Sequence, residues 1–438
     1  MAILTKEEAQ AVLKKALAYS KADECEITLS GNVGGNIRYA RNEVSTSGGE
    51  ENVSMSVESR FGKRSGVATI NEFDDKSLEK VIRRSEETAR LAPESPEYIE
   101  LLGPQTYSTT KELFSSTASI DPAYRADAAA KSIAAAAAKG LTAAGFLEHY
   151  TNFVAKLNNK GLFAYHPATV VDFSVTMRTE DGTGSGYITQ DFSDASKLDT
   201  GKASQIAADK AVNSRNAKAL EPGRYTVILE PTAAADLLEI MFRSMDQRNA
   251  EEGRSFLSKA GGKTKLGEKL VDERVTVYSD PTNPEVPAAP FSGEGLPQGK
   301  VTWIENGVVK NMPNNRYWAK LKGVQPVSRP GNYIMEGGNE SLEDLIKGTK
   351  RGILVTRFWY IRSVDQQTLL NTGLTRDGTF YIENGKIMYP VKNFRFNESP
   401  VIMLNNLDAL GKPQRISGNL IPPMRIRDFT FTSLSDAV

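Results

Sequence analysis

The sequence contains one cysteine, Cys25, and two histidines, His149 and His166. A single cysteine cannot form an intrachain disulfide, so nothing in the sequence indicates an oxidising compartment. A structural zinc site needs about four cysteine or histidine ligands, whereas these residues are scattered along the chain. The catalytic motifs H-E-x-x-H and H-E-x-x-x-H are also absent. The sequence therefore lacks a histidine–cysteine zinc site of the usual kind.

The sequence also lacks an excess of charge of either sign and any long apolar run. Over 438 residues, 54 lysines and arginines balance 54 aspartates and glutamates. General binding to nucleic acids or to anionic membranes uses a basic excess, so the composition disfavours both classes of partner. No run of about 18 apolar residues predicts a membrane-spanning helix, and the N-terminal stretch is typical of an amphipathic helix rather than a signal peptide. We therefore expect a cytoplasmic protein with no nucleic-acid or membrane partner.

Other familiar catalytic motifs are absent as well. Neither a G-x-S-x-G elbow nor a Walker A loop occurs. The glycines of residues 182–186 lie between two strand-like segments, which favours a hairpin turn over a phosphate loop. Both histidines lie in strand-like sequence, at 146–150 and 163–166, and Cys25 alternates with apolar residues. We interpret all three as ordinary strand residues, with Cys25 buried.

The N-terminal half predicts alternating helices and strands. Thr5 and Glu8 form a capping box at the start of a first helix. Residues 24–30, 53–57 and 64–70 predict strands, and a helix that begins near Leu78 follows them. Asp121, followed by a proline, predicts the start of an alanine-rich helix.

A strand–turn–strand–helix pattern occurs twice in this half. The first copy, at 54–75, reads SMSVESRFGKRSGVATINEFDD, and the second, at 172–194, reads DFSVTMRTEDGTGSGYITQDFSD. Ser65 and Gly66 of the first copy match Ser185 and Gly186 of the second. We interpret the pattern as a duplicated strand–strand–helix unit whose two copies pack into one domain.

A break at Glu221, Pro222 and Gly223 precedes an apolar strand at 225–229 and a helix at 235–245. The remainder predicts a short strand at 275–278, helices at 342–347 and near 401–410, and long loops at 280–298 and 324–338. Two Asn-Gly turns, at 306–307 and 384–385, predict hairpins. The expected fold class is α+β: an N-terminal α+β domain at 1–220 and a mostly antiparallel β domain with a few helices at 221–438.

Several segments of the C-terminal half together resemble the TldD/PmbA family in their order and spacing. They are PGRYTVILEP (222–231), EGRS (252–255), LGEK (266–269), VTVYSD (275–280), RGILVT (351–356), GTFYIENG (378–385) and YPV (389–391). The N-terminal strand–turn–helix units fit the family too, so the resemblance covers nearly the whole chain. In the family, the TldD branch carries H-E-x-x-x-H on the helix after the opening strand and uses a C-terminal cysteine as a further zinc ligand. Here Leu238 and Arg243 stand at the histidine positions, Glu239 stands at the glutamate position, and no cysteine follows Cys25.

The resemblance therefore implies the metal-free PmbA/TldE-like branch. We expect a non-catalytic subunit with no cofactor and no catalytic residue of its own. A TldD-like partner in a heterodimer would supply zinc and hydrolyse unfolded peptides. The older idea, attached to the family name, of a modulator of DNA gyrase gains no support from the neutral charge as a direct DNA contact.

Two alternatives remain open at this point. The chain could act without a TldD-like partner, as a homodimeric peptide-binding or scaffold protein. It could also be a residual hydrolase that uses Glu239, Asp236 and Asp246 with a divalent cation, since carboxylates alone can bind Mg²⁺ or Ca²⁺. The loops at 280–298 and 324–338 could line a peptide groove or could be ordinary surface loops.

Overall fold

The computed structural model describes residues 3–435, and its N-terminal half is built around one antiparallel sheet. The strand order in this sheet is β3-β2-β1-β4-β5-β6. The elements of this half are α1 (Lys6–Leu17), β1 (Glu24–Ala40), β2 (Glu43–Phe61), β3 (Arg64–Ile70), α2 (Asp75–Leu91), α3 (Ser115–Ala118), α4 (Pro122–Ala137), β4 (Leu141–Asn158), β5 (Phe163–Thr179), β6 (Ser185–Phe192) and α5 (Thr200–Asn213).

The sheet contains the repeated unit that the sequence predicts. The order α1-β1-β2-β3-α2 recurs as α4-β4-β5-β6-α5, and the two copies meet where β1 pairs with β4. Gly66 and Gly186 occupy equivalent places at the starts of β3 and β6, where each strand lies directly on the backbone of α2 or α5. The capping box of Thr5 and Glu8 and the buried position of Cys25 are also confirmed.

The C-terminal half is mostly β, as the sequence predicts. Its elements are β7 (Arg224–Leu229), α6 (Pro231–Ser244), α7 (Gln247–Glu251), β8 (Ser258–Lys259), β9 (Lys263–Thr264), β10 (Val277–Ser279), β11 (Val301–Glu305), β12 (Val308–Val309), α8 (Arg316–Lys322), β13 (Ile334–Met335), α9 (Leu342–Lys347), β14 (Arg351–Asp365), β15 (Leu370–Glu383), β16 (Lys386–Pro390), β17 (Phe394–Glu398), α10 (Pro400–Asn405), β18 (Leu407–Leu410), β19 (Gln414–Ile416), β20 (Asn419–Ile421) and β21 (Met424–Leu434).

Two larger sheets organise these elements. One follows the order β14-β7-β21-β17-β15-β16, and an additional pairing of β14 with β15 closes its first five strands on one another. The other follows β12-β11-β10-β13-β20-β19. Helix α6 packs in the large hydrophobic core of this half, with Leu237, Leu238, Met241 and Phe242 all buried. The α+β fold class is therefore confirmed, whereas the division at residue 220 into two domains stays a prediction.

Most local predictions in this half are confirmed. Asn306 and Gly307, like Asn384 and Gly385, all have positive φ at their hairpin turns, as a type I′ turn requires. The helix predicted near residues 401–410 is wrong in its second half. Helix α10 ends at Asn405, and the chain continues as β18, because residues 407–410 find pairing partners in β21.

Polar contacts tie the two halves together at the ends of β5 and β6. Arg415 donates to the Asp191 carboxylate at 2.9 Å, and Lys210 Nζ donates to Glu230 at 2.7 Å. Ser185 Oγ donates to the carboxylate of the fully buried Asp377. These contacts place the start of α6 and strand β15 beside β6 and α5 of the N-terminal half. Within residues 3–435, no helix has the length and apolar character needed to cross a membrane.

Candidate functional site

Helix α6 follows directly from β7 and starts at a fixed point in the fold. Pro231 is its first residue, where the missing N–H costs nothing. The preceding residue, Glu230, accepts hydrogen bonds from Lys210 Nζ at 2.7 Å and from Thr356 Oγ1 at 3.0 Å. The helix start is thereby attached to α5 on one side and to β14 on the other.

The two residues that the resemblance places at the histidine positions, Leu238 and Arg243, do not converge on one point. Leu238 is completely buried in the core. Arg243 extends into solvent with 79% of its side chain exposed, and it forms an ion pair with Glu239 at 3.0 Å, one helical turn earlier. A metal ligand must present a lone pair to a shared point. Neither a buried leucine nor a guanidinium group can do this.

The burial of Leu238 provides a check on the alignment of α6 with the TldD helix. A ligand side chain has to reach a cavity that substrate can enter, and position 238 points into the core. A register one residue later places the partly exposed Glu239 and Ser244 at the histidine positions and Ile240 at the glutamate position. Ser244 Oγ donates to the Ile240 carbonyl oxygen at 2.7 Å. In both registers the helix lacks a histidine, so its residues do not fit a zinc ion.

The residual-hydrolase hypothesis also uses Asp236 and Asp246, and each of these carboxylates is bonded to a different backbone N–H. Asp236 accepts from the Phe358 backbone N–H at 2.9 Å. Asp246 caps α7 by accepting from the Asn249 N–H at 2.9 Å. Across residues 3–435, no three histidine, cysteine, aspartate or glutamate side chains are grouped so that they could hold a metal ion. The structure therefore offers no cation site on this helix.

Glu239 nevertheless lies in an unusual electrostatic setting. Burial raises its pKa, Arg243 opposes this effect, and the negative charge of Asp191 on β6 adds to it. Asp191 is directly opposite Asp172 on β5, which is opposite Glu148 on β4. Burial, followed by the charges of Asp191 and Glu148, raises the pKa of Asp172 to about 6. The sheet face near α6 thus carries a row of acidic side chains.

The row of Glu148, Asp172 and Asp191 could not be identified from the sequence. Its three members lie on three different strands, and only the strand register brings them together. The duplicated pattern gave one clue, because it placed Asp172 and Asp191 on paired strands of the second copy. The pairing register of β5 and β6 would also have been needed to show that the two aspartates face each other. Within this row the pKa of the Asp172 carboxyl is raised to about 6, chiefly by burial.

The two histidines and the cysteine serve the sheet rather than a catalytic site. His149 lies opposite Arg125 of α4, whose guanidinium donates to its Nε2 at 2.9 Å. Burial, followed by the Arg125 charge, lowers the pKa of His149 to about 4, so this histidine is a neutral acceptor. His166 bonds Glu112 at 2.7 Å. Burial raises the pKa of the Cys25 thiol, which disfavours the reactive thiolate. The interpretation of all three as strand residues is confirmed.

The two long loops meet at the surface of the C-terminal half. They line a cavity of about 150 Å³, to which Pro281, Leu296 and Gln298 contribute from the first loop and Pro326, Val327 and Pro330 from the second. The two loops therefore share a cavity whose lining is largely proline and aliphatic. The expectation that they form a peptide groove stays a prediction.

Comparison with known proteins adds the family. A family model described as the PmbA/TldA metallopeptidase C-terminal domain matches residues 222–433, and a second, described as the PmbA/TldA metallopeptidase central domain, matches residues 114–215. The chain belongs to the PmbA/TldD family. The matches cover strands β4, β5 and β6, which carry the acidic row, and the half that contains α6, so both regions belong to the family fold.

Relatives named as metalloproteases are about one-quarter identical to this member of the family over the aligned segments. A metalloprotease of Methanothermobacter thermautotrophicus is 25% identical over 283 residues, which cover 59% of this chain and 60% of that protein. The metalloprotease PmbA of Escherichia coli O157:H7 is 24% identical over 173 residues, 37% of each chain. The chain spans about half the length of the curated relatives it matches.

Solved structures share the fold over nearly the full length. TldE from Thermococcus kodakarensis superposes with a TM-score of 0.87 at 19% identity, covering 97% of this chain and 99% of that one. A Thermotoga maritima protein, named for a suggested role as a modulator of a DNA gyrase, gives the same TM-score at 18% identity and covers 97% and 100%. At these identities the similarity shows the fold alone.

Proposed function

We propose that this chain is a metal-free, PmbA/TldE-like subunit of a metallopeptidase that acts on unfolded peptides, and that it is inactive alone. A TldD-like subunit supplies the zinc ion and the hydrolysis. The observation that carries the proposal is the state of α6, where Leu238 is buried and Glu239 is held by Arg243. The helix of a family peptidase is kept in place, but it has no histidine with which to bind zinc.

A role in holding peptides is supported by two surfaces of the chain. The cavity between the two long loops offers apolar contacts. Residues 43–54 of β2 pair with β1 on one side, whereas β3 pairs with β2 only from Met55 onward. An exposed strand edge of this kind can bind an extended peptide through backbone hydrogen bonds, with little dependence on sequence.

The proposal is tested by zinc content and peptidase activity. The chain is purified alone and together with a TldD-like protein from the same genome, and both preparations are analysed for zinc and assayed with an unstructured peptide. We expect no stoichiometric zinc and no turnover for the chain alone, and zinc-dependent turnover for the complex. A control complex contains a TldD-like protein with its H-E-x-x-x-H histidines replaced by alanine, which should abolish turnover. Stoichiometric zinc in the chain alone, with turnover that a chelator stops, would contradict the proposal.

The same exposed edge of β2 favours a second candidate, a homodimeric peptide-binding or scaffold protein. Two copies could pair through residues 43–50, which the β2–β3 pairing does not reach. Purification from the native host decides between the two candidates. Recovery of the chain only with itself, in cells that also contain a TldD-like protein, would favour the homodimer.

A further inference from the structure

A cavity with many charged side chains lies between the N-terminal sheet and the C-terminal half. This charged cavity has a volume of about 280 Å³. Strands β1, β2, β3 and β4 form part of its wall, and the C-terminal half contributes Gly293 and Glu294 of the first long loop and Arg316 of α8. Drug-sized ligands occupy about 300–1,000 Å³. The volume therefore suits a ligand smaller than these.

Three carboxylates and three cationic side chains line the charged cavity, so its wall has no net charge. They are Glu26, Glu58 and Glu294, and Lys156, Arg60 and Arg316. Binding sites are complementary in charge to their ligands. A wall with both signs in equal number disfavours a polyanion or a polycation, and it favours a ligand that carries one charge of each sign.

Two of the three pairs of opposite charges are already joined by hydrogen bonds. Lys156 Nζ donates to Glu26 at 2.5 Å, and Arg60 Nε donates to Glu58 at 2.9 Å. Arg60 Nη1 also donates to the Ile99 carbonyl oxygen at 2.8 Å. These contacts fix the four side chains before any ligand arrives, which lowers the entropy cost of binding.

The third pair, Glu294 and Arg316, is not joined in this way. Among the described residues, the Glu294 side chain forms no hydrogen bond and no ion pair, and its charge acts on Arg316 from a distance. Burial lowers the pKa of Arg316, and the charge of Glu294 opposes this effect. Arg316 Nη2 donates to the Glu100 carbonyl oxygen at 2.6 Å. Because a guanidinium group has five N–H donors, Arg316 retains donors for a ligand.

The rest of the wall offers both polar and apolar contacts. Thr28 of β1 and Ser56 of β2 lie directly opposite each other, and their hydroxyl groups can donate or accept hydrogen bonds. Val67, Ile99 and Leu101 are the aliphatic residues of the lining. The wall thus suits a small ligand with polar groups and one aliphatic side chain.

We propose that the charged cavity binds a small zwitterion of the size of a free amino acid or a dipeptide. Arg316 binds the carboxylate of this ligand through charge-assisted hydrogen bonds, and Glu294 binds its ammonium group. Each of the two side chains thereby gains a directly bonded partner of opposite charge. The inference goes beyond the proposed function, because the described lining of the cavity includes no residue of α6 and needs no TldD-like partner.

The test uses the full chain and alanyl-leucine in four forms: unmodified, N-acetylated, C-terminally amidated and blocked at both ends. Leucine in the same four forms distinguishes a free amino acid from a dipeptide as the ligand. Binding is measured by isothermal titration calorimetry at neutral pH. The variants are Glu294→Gln and Arg316→Gln. Their matched controls, Glu285→Gln in the same loop and Lys320→Gln in the same helix, remove exposed charges outside the lining.

We expect the zwitterion that binds to lose at least about tenfold in affinity when either end is blocked, because a hydrogen bond to a charged group contributes roughly that much. Glu294→Gln should remove the effect of N-acetylation and keep the effect of amidation. Arg316→Gln should do the reverse, and the two controls should keep both effects. A variant that fails to fold would lose all binding, so this crossed pattern identifies the individual contacts.

No binding of either zwitterion to the natural chain would overturn the inference, and so would equal binding of all four forms. Folded variants that lose both effects together would overturn the assignment of Glu294 and Arg316. If a variant does not unfold cooperatively in urea, the four ligand forms on the natural chain decide. Zinc content and peptidase turnover are measured separately, so a failure here leaves the proposed function standing.

Discussion

Asp236 is the residue of α6 whose charge is most strongly altered by the fold. Its carboxylate accepts the Phe358 N–H at 2.9 Å, which attaches the helix to β14. Burial raises its pKa to about 7, although the Phe358 hydrogen bond and the Arg357 charge act in the opposite direction. The same residue was a candidate metal ligand from the sequence. In the fold it joins the helix to the strand that carries Arg357 and Trp359.

The raised pKa of Asp236 predicts how stability depends on pH. Between about pH 4 and pH 7 the folded state binds a proton that the unfolded chain releases, so this residue makes stability fall as the pH rises, by up to about 1.4 kcal/mol for each pH unit. Asp236→Asn keeps an oxygen acceptor for Phe358 and removes the titration. We expect the variant to be more stable than the natural chain at pH 8 and to lose this advantage at pH 4, as measured by urea denaturation.

The control for Asp236→Asn is Asp127→Asn on α4, because the Asp127 side chain is 60% exposed in a surface ion pair with Lys131. Such pairs contribute little to stability, so its urea midpoint should follow that of the natural chain at both pH values. Parallel pH profiles for Asp236→Asn and the natural chain would show that Asp236 does not titrate in this range.

At the scale of elements, the repeated unit is defined by how closely a strand lies on its helix. A Cβ added at Gly66 would come within 2.2 Å of the Ala89 nitrogen of α2. A Cβ at Gly186 would come within 2.1 Å of the Ala207 carbonyl oxygen of α5. Both contacts are with helix backbone, which cannot move aside as a side chain can. The two glycines that the sequence alignment matched therefore have the same structural role.

Gly66→Ala and Gly186→Ala should each destabilise the protein by about 1–3 kcal/mol, the usual cost of overpacking. Gly48 in β2 is the control, because a Cβ there would meet no atom within 4 Å. Gly48→Ala should be neutral or slightly stabilising, since it reduces the freedom of the unfolded chain. Thermal and urea midpoints of the three variants measure the effect. A destabilisation by Gly48→Ala as large as that of the other two would contradict the packing explanation.

Elements that depend on short stretches of sequence could be predicted, and those that depend on distant partners could not. The Asn-Gly turns at 306–307 and 384–385 were predictable because their backbone conformation is set by the turn residues themselves. The end of α10 was not, because β18 forms only by pairing with β21. A cleft between the two halves is lined by Arg41, Arg178 and Arg357, which come from three distant segments, so no local pattern could indicate it.

At the scale of the whole molecule, buried ion pairs hold the acidic row of the N-terminal sheet against the C-terminal half. The side chains of Arg415 and Asp191 are only 11% and 7% exposed, and their atoms are 2.9 Å apart. Arg415 also donates to the Glu285 carbonyl oxygen in the first long loop. One arginine therefore connects the sheet face near α6, the β19–β20 hairpin and the long loop at 280–298.

Arg415→Gln should destabilise the protein by about 3 kcal/mol or more at pH 8, because it leaves Asp191 buried without its charge partner. The penalty should be smaller at pH 5. Burial raises the pKa of Asp172 to about 6, and the positive charge of Arg415 acts in the opposite direction. The loss of Arg415 therefore reduces stability most above that pH, where Asp172 is ionised. Urea midpoints at the two pH values measure the difference. Adding Asp191→Asn should restore part of the loss, since a double-mutant cycle on a directly bonded pair gives a positive coupling.

The control for Arg415→Gln is Arg425→Gln. Arg425 pairs with Asp408 at 2.5 Å entirely within the C-terminal half, and the Asp408 side chain is 39% exposed. Because a partly exposed pair contributes about 1 kcal/mol or less, this variant should have a small effect that does not change with pH between 5 and 8. If the two arginine variants are equally destabilised and show the same pH dependence, the Asp191–Arg415 pair is not the contact that couples the acidic row to the C-terminal half.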